Sequence, residues 1–233
     1  MFPVKYNGMM DVFLLDDILP CFLDTSLSGI NHQFYIKYSI IQFMDLQELV
    51  LDLMEERLPR NLYYHNIKHT IDVITEVELI GWAEGLSDEE VLLLKVAALF
   101  HDAGHTVDYQ NHEYHSVLLA EEILPQFNYS EEQIATVKRL ILATRFPHNP
   151  QDLMEKVMCD SDLDYLGRSD FIPVSNNLYL ELKERSLIGS WNEWNNLQLE
   201  FINRHHYFTN TAQKLRQVNK QLQIERIRSL IEA

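Results

Sequence analysis

Val91-Leu-Leu-Leu-Lys-Val-Ala-Ala-Leu-Phe100 runs straight into His101-Asp102-Ala-Gly-His105, and this junction decides how the chain is read. A stretch whose one charge is Lys95 is apolar on nearly every side of a helix, the pattern of a segment buried in a core. An imidazole and a carboxylate at its end are costly to bury unless something neutralises and orients them. A metal ion or a catalytic centre does both. Upstream, Tyr64-His65-Asn66-Ile67-Lys68-His69 carries two histidines four apart, a spacing that on a helix puts both rings on one face. His101 and His105 repeat it. Downstream, Asp160-Ser161-Asp162-Leu163-Asp164 offers hard oxygen donors. Alternate positions cannot share a helical face, so one Asp is expected in the site and another at a cap or in solvent. The zincin motif HExxH is excluded, because Asn66 stands where its Glu would be.

Working outward, apolar residues recur at helical spacing. Ile36, Ile40, Phe43, Met44, Leu49, Leu53 and Met54 predict one helix, stopped by Leu58-Pro59. Ile67, Ile71, Ile74, Val77 and Ile80 predict a second, with Gly85 as its C-terminal stop. Ser87-Asp-Glu-Glu90 and Ser130-Glu-Glu-Gln133 read as capping boxes opening two more. Further helices are expected over about 152–167, 171–188, 191–206 and 209–231. Seven Gly and seven Pro leave little material for a turn-rich β fold. The expectation is an all-α fold: a single compact helical bundle over residues 36–233, with residues 1–35 as a short, less regular N-terminal appendage.

The 233 residues carry a formal net charge of −16, which argues against a nucleic-acid polymer as partner. A small anionic substrate stays open, because a bound divalent cation reverses the local field it meets. Cys21 and Cys159 are too few for a disulfide framework and point to a reducing compartment. The apolar patch Val12-Phe-Leu-Leu15 is flanked by Asp11, Asp16 and Asp17, so neither a signal peptide nor a membrane span is expected, and the cytoplasm is the default. Three further polar groups stand outside this pattern. Asn111, His112, Glu113 and His115 could open a helix or supply ligands; His148, between two prolines, reads as a loop residue; His205-His206 reads as a cationic pair suiting a helix C-terminus.

The order His69, His101-Asp102, Asp162 resembles the HD-domain superfamily of metal-dependent phosphohydrolases. Within it, Tyr64-His-Asn-Ile-Lys-His-Thr-Ile-Asp-Val73 is similar to the YHNxxHAxDV signature of class I cyclic-nucleotide phosphodiesterases. Leu99-Phe-His-Asp-Ala-Gly-His105 resembles their LxHDxxH, Ile141-Leu-Ala-Thr144 their ILAT, and Asp162-Leu163 their ADL, which favours Asp162 over Asp160 as the metal-binding Asp. The resemblance implies an HD-domain helical bundle with His69, His101, Asp102 and Asp162 as ligands of a first metal and Asp102 bridging to a second. It also implies His65 as general acid for the leaving alkoxide and His105 as holder of the attacking hydroxide. His112 resembles the first extra histidine by which other branches complete a second site, but Thr144 stands where the next would be. The cofactor expected is one or two divalent ions: Mn, Fe, Mg, Ni or Zn.

The expected activity is metal-dependent hydrolysis of a small phosphate ester or phosphodiester by activated water, with a cyclic or linear nucleotide as first choice of substrate. Arg145 follows ILAT where the phosphodiesterases have an acidic residue, and only Gln198 and Phe201 offer themselves for the purine grip, with packing as the ordinary alternative. Two other classes stand beside this reading: an HD-type di-iron oxygenase, which Thr144 disfavours, and a non-catalytic nucleotide-sensing module, which would have lost ligands.

Overall fold

The computed structural model describes residues 28–231, with side chains described from residue 39 onward. The chain divides into two units, Met1–Met44 and Asp45–Ala233. Helix α1 (Ser28–Arg57) begins inside the stretch read as an appendage, and the rest of that stretch, residues 1–27, lies outside the described residues.

In the second unit every regular element among the described residues is helical. In chain order they are α2 (Ile67–Ala83), α3 (Asp88–Phe100), α4 (His112–Ile123), α5 (Glu131–Ala143), α6 (Leu153–Asp162), α7 (Phe171–Glu184), α8 (Trp191–Arg204) and α9 (Asn210–Leu230). Short 3-10 turns lie at Ala103–Thr106, Leu124–Phe127 and Asp164–Gly167. Helix α3 is the centre: its residues from Leu93 to Phe100, Lys95 apart, are buried, and it packs on α2, α4, α5 and α6. An all-round apolar helix therefore drives its polar C-terminal residues into the middle of the bundle.

The helix ends follow the chemistry of their residues. Ser87 with Glu90, and Ser130 with Gln133, form the two expected capping boxes, each cap contributing about 1 kcal/mol. Gly85, at φ 85°, closes α2 as expected: the amides of Leu86 and Gly85 donate to the carbonyls of Gly81 and Trp82, which is the Schellman pattern.

The largest shortfall in helix length is in α6. The segment read as helical over 152–167 stops at Asp162; Leu163 leaves the helical region and a 3-10 turn follows. Three aspartates with three different partners, described below, account for the break. Helices α7 and α8 also end earlier than expected, at Glu184 and Arg204.

Helices α7 to α9 add a layer of their own, with Leu166, Phe171, Ile202, Ile224 and Ile227 as its buried cluster and Phe201 packed against it. Gln198 is buried there too, accepting from Ser175 Oγ (2.6 Å) and donating to Asn195 Oδ1 (2.9 Å). The two residues offered for a purine grip are thus spent on packing. No helix among the described residues is long and apolar enough to cross a membrane.

Candidate metal centre

Asn66 caps α2, its Oδ1 accepting from the amides of Lys68 and His69. His65 therefore precedes the helix and His69 lies in its first turn, so the pair does not share one helical face as the spacing implied. The second pair is split in the same way: His101 caps the C-terminus of α3, and His105 sits in the following 3-10 turn. In each case a helix end turns the chain, and the turn aims both rings inward.

His65, His69, His101, Asp102, His105, His112 and Asp162 converge around Asp102. Its Oδ2 lies 3.2 Å from His101 Nε2 and 3.5 Å from His69 Nε2; its Oδ1 lies 3.5 Å from His112 Nε2 and 3.9 Å from His105 Nε2. Asp162 Oδ1 completes the first side, 3.1 Å from His69 Nε2 and 3.5 Å from His101 Nε2. On the other side the His105 ring stacks on His112 at 4.0 Å and lies 4.7 Å from His65. One carboxylate thus faces two separate groups of imidazoles, one with each oxygen. Two sets of side chains can hold an ion: His69, His101 and Asp162, and His65, Asp102 and His105.

The donor atoms suit a cation. His101 Nδ1–H donates to the Ala98 carbonyl (2.7 Å), which leaves the lone pair on Nε2, 3.3 Å from His69 Nε2. His112 Nδ1–H donates to the Tyr109 carbonyl (3.2 Å), with the same result. Asp102 Oδ2 is buried without a hydrogen-bond partner among the described residues. Without an ion, burial alone would keep His101 neutral, but Asp102 and Asp162 outweigh it and hold its pKa well above the usual value. Burial opposes the charged form of Asp102 as well, and His101 beside it pulls its carboxyl well below the usual range. A divalent ion held between these groups would supply the positive charge that the two carboxylates otherwise favour on His101. Mixed imidazole and carboxylate donors fit Zn, Mn, Fe or Ni, and Mg less readily.

His65 is held differently. Its Nδ1–H donates to Glu181 Oε1 at 2.5 Å, and its amide and that of Tyr64 donate to Glu181 Oε2. Burial would lower the His65 pKa, but the Glu181 hydrogen bond and the charges of Asp102 and Asp162 raise it. Burial of Glu181 is in turn outweighed by His65 and the two amides, which bring its pKa to about 2. Tyr109 also donates to Glu181 (3.1 Å), with the Arg185 guanidinium 4.2 Å from its ring centroid. Sequence reasoning missed Glu181. Its one signal is a charge on an otherwise apolar stretch, Leu178-Tyr-Leu-Glu-Leu182. His105 is the opposite case to His65: burial and its imidazole neighbours bring its pKa to about 3, so it is neutral.

The remaining candidates go elsewhere. Asp160, fully buried, accepts from the amides of Phe208 and Thr209 and from Thr209 Oγ1 (2.7 Å), and so caps the approach to α9. Asp164 accepts from Arg216 Nε (2.5 Å). Thr144 turns its hydroxyl to the Ile141 carbonyl (2.8 Å), and His148 donates to the Thr144 carbonyl (3.0 Å) from its loop. His205 is not cationic: burial and nearby Lys220 bring its pKa to about 3. Two contacts lock the turn after α3 onto α4. Ser116 Oγ accepts from the Gly104 amide (2.8 Å) and donates to the His101 carbonyl (2.7 Å). A Cβ on Gly104 would stand 1.9 Å from the His112 carbonyl oxygen.

Residues 66–165 match the HD domain family, from the α2 cap to the turn after Asp162. A crystal structure of a predicted HD superfamily hydrolase from an uncultured Thermotogales bacterium resembles this fold with a TM-score of 0.50, over 78% of this chain and 90% of that one, at 19% identity. An uncharacterized protein of Clostridium beijerinckii is 36% identical over 89 residues, which cover 37% of this chain and 56% of that protein. The matched segment supplies six of the seven convergent side chains; His65 lies one residue before it, and its partner Glu181 lies in α7 beyond it.

Proposed function

We propose that the chain is a metal-dependent phosphohydrolase acting on a small phosphate ester. His69, His101, Asp102 and Asp162 would hold a first divalent ion, and Asp102 with His112 would offer a second position. An ion bound there would supply an activated water and neutralise the phosphoryl oxygens. His65, with Nδ1 tied to Glu181, presents Nε2–H as the proton donor for the leaving alkoxide. Neutral His105, both ring nitrogens buried without partners among the described residues, accepts a hydrogen bond from the attacking water.

The observation that carries this reading is the division of Asp102, one oxygen toward each imidazole group. Such an arrangement suits a cation binder on one side of Asp102 and a proton donor on the other. Thr144, its hydroxyl spent on Ile141, leaves the oxidative alternative without a ligand there. The likeness of Tyr64–Val73 to the phosphodiesterase signature makes phosphodiesters worth testing beside monoesters. The test is to strip the purified protein with chelator, reload it with Mn, Fe, Mg, Ni or Zn in turn, and measure metal content and phosphate release. Release restored by a bound ion supports the reading; a protein that takes up no ion refutes it.

A further inference from the structure

The two oxygens of Asp102 meet different amounts of negative charge. Oδ2 shares its side with Asp162 Oδ1, two carboxylates for one divalent cation. Oδ1 meets His112 at 3.5 Å and His105 at 3.9 Å, and Glu181 is committed to His65. A second divalent ion on that side would share Asp102 with the first and need a further carboxylate. The first turn of α4 holds one. Glu113 follows His112, and its Oε1 lies 3.7 Å from His112 Nε2, the same nitrogen that faces Asp102 Oδ1. That nitrogen carries the lone pair, because Nδ1–H donates to the Tyr109 carbonyl. Both separations lie within about 4.4 Å, the widest at which two donors can share one ion with bonds of roughly 2.0–2.2 Å. An acid in a first turn also offsets the helix dipole, and for that alone its carboxylate would stay in water. The Glu113 side chain is instead only 14% exposed, and it accepts no hydrogen bond among the described residues.

Resting on the phosphohydrolase reading, we propose that Glu113 is a metal ligand: Asp102 Oδ1, His112 Nε2 and Glu113 Oε1 form a second divalent-cation site, and Asp102 bridges a binuclear centre. Charge balance supports the third ligand. Two divalent ions bring four positive charges, and Asp102, Asp162 and Glu113 return three, which leaves one to attract a phosphoryl anion. Without Glu113 two charges would stand uncompensated beside buried groups, where unpaired charge is costly. The donor set suits Mn, Zn, Fe or Ni. His65 and His105 stay outside it. His105, both of whose ring nitrogens are buried without partners among the described residues, borders the site and remains free to accept a hydrogen bond from water.

The test counts ions rather than turnover. The full chain, stripped with chelator, is titrated with Mn; free Mn is followed by paramagnetic resonance, and bound Mn is checked by elemental analysis. The wild-type chain should take up two Mn. Glu113→Gln, which keeps the shape and removes the charge, should hold the first as before and bind the second at least about 10–100-fold more weakly, the loss that even a residue behind a metal ligand brings. Glu113→Asp, with the charge on a shorter arm, should regain part of that affinity. The first site shares no ligand with Glu113, so the ratio of the two affinities within each variant is the readout; a fold defect would weaken both alike. A wild-type chain that saturates at one Mn, or a Glu113→Gln ratio equal to the wild-type ratio, would overturn the inference and leave the phosphohydrolase reading standing on its first ion. Uptake of no Mn, Zn, Fe or Ni would overturn both.

Discussion

The two sides of Asp102 are built from the same residue types to different ends. Facing Oδ2, two imidazoles and a second carboxylate crowd within 3.1–3.5 Å of one another. Facing Oδ1 are three imidazoles, His65, His105 and His112, and the carboxylate behind them, Glu181, is spent on His65. Charge balance explains the division of labour. The first side has the negative charge to hold a cation; the second has neutral His105 beside a His65 that Glu181 keeps ready to carry a proton. On the proposed reading, what would separate an ion-binding side from a proton-donating one is where the carboxylates stand, since the histidines alone do not distinguish them.

The most severe test of that contrast is Asp102→Ala, which removes the group both sides share. Metal content and activity should fall together, activity by more than about 10³-fold, since the several kcal/mol of charge stabilisation by the ion are lost. Metal retained at full occupancy would end the assignment. His65→Ala should keep the metal and slow hydrolysis by roughly 10²–10⁴-fold, the usual worth of a placed proton donor. The loss should shrink for p-nitrophenyl phosphate, whose leaving group needs little protonation; an equal loss on every substrate would make His65 a ligand or a packing residue. His112→Ala sharpens the count of ions: if the protein binds two per chain, elemental analysis of the variant should fall toward one, and unchanged occupancy would remove His112.

Glu181→Gln should act chiefly through His65, costing about tenfold at neutral pH, the lower end for a group that orients a site residue. The sign follows from the raised His65 pKa. Chemistry that needs the protonated ring is present below that pKa and is lost as pH rises through it, so removing the Glu181 charge should move the alkaline limb of the kcat profile to lower pH. A limb that stays in place would show that another group sets it. The smallest effect is on folding. Asp160→Asn gives up a carboxylate accepting from three donors and should cost about 1.5–3 kcal/mol in denaturant unfolding, with little change in metal affinity.

The convergence of His69, His101, Asp102 and Asp162 was legible because His101-Asp102 ends the apolar run of α3, while His69, in the first turn of α2, and Asp162, at the end of α6, follow an order that resembles the HD superfamily. The proton side was less so. Glu181 stands 116 positions from His65, and an acidic residue on an amphipathic helix looks like ordinary solvent-facing charge until the fold turns it inward. The destinations of Asp160 and Asp164 were equally hidden, because their partners, Thr209 and Arg216, are set by how α9 returns across the turn after α6. The reading of both histidine pairs as one-faced failed for a local reason: Asn66 caps a helix between the members of one pair, and α3 ends between those of the other.

The contact at Gly104 bears on how this centre could change. With no room for even a methyl group between the turn after α3 and the His112 carbonyl, main chain lies on main chain where the turn bearing His105 meets the start of α4 bearing His112. Substituting the histidines can alter which element is preferred and how strongly it is held. It cannot widen the gap. Adaptation to a larger or smaller ion would have to come through side-chain reach within a fixed frame, and a Gly104→Ala exchange would be felt as a displaced His112 before it was felt as lost stability.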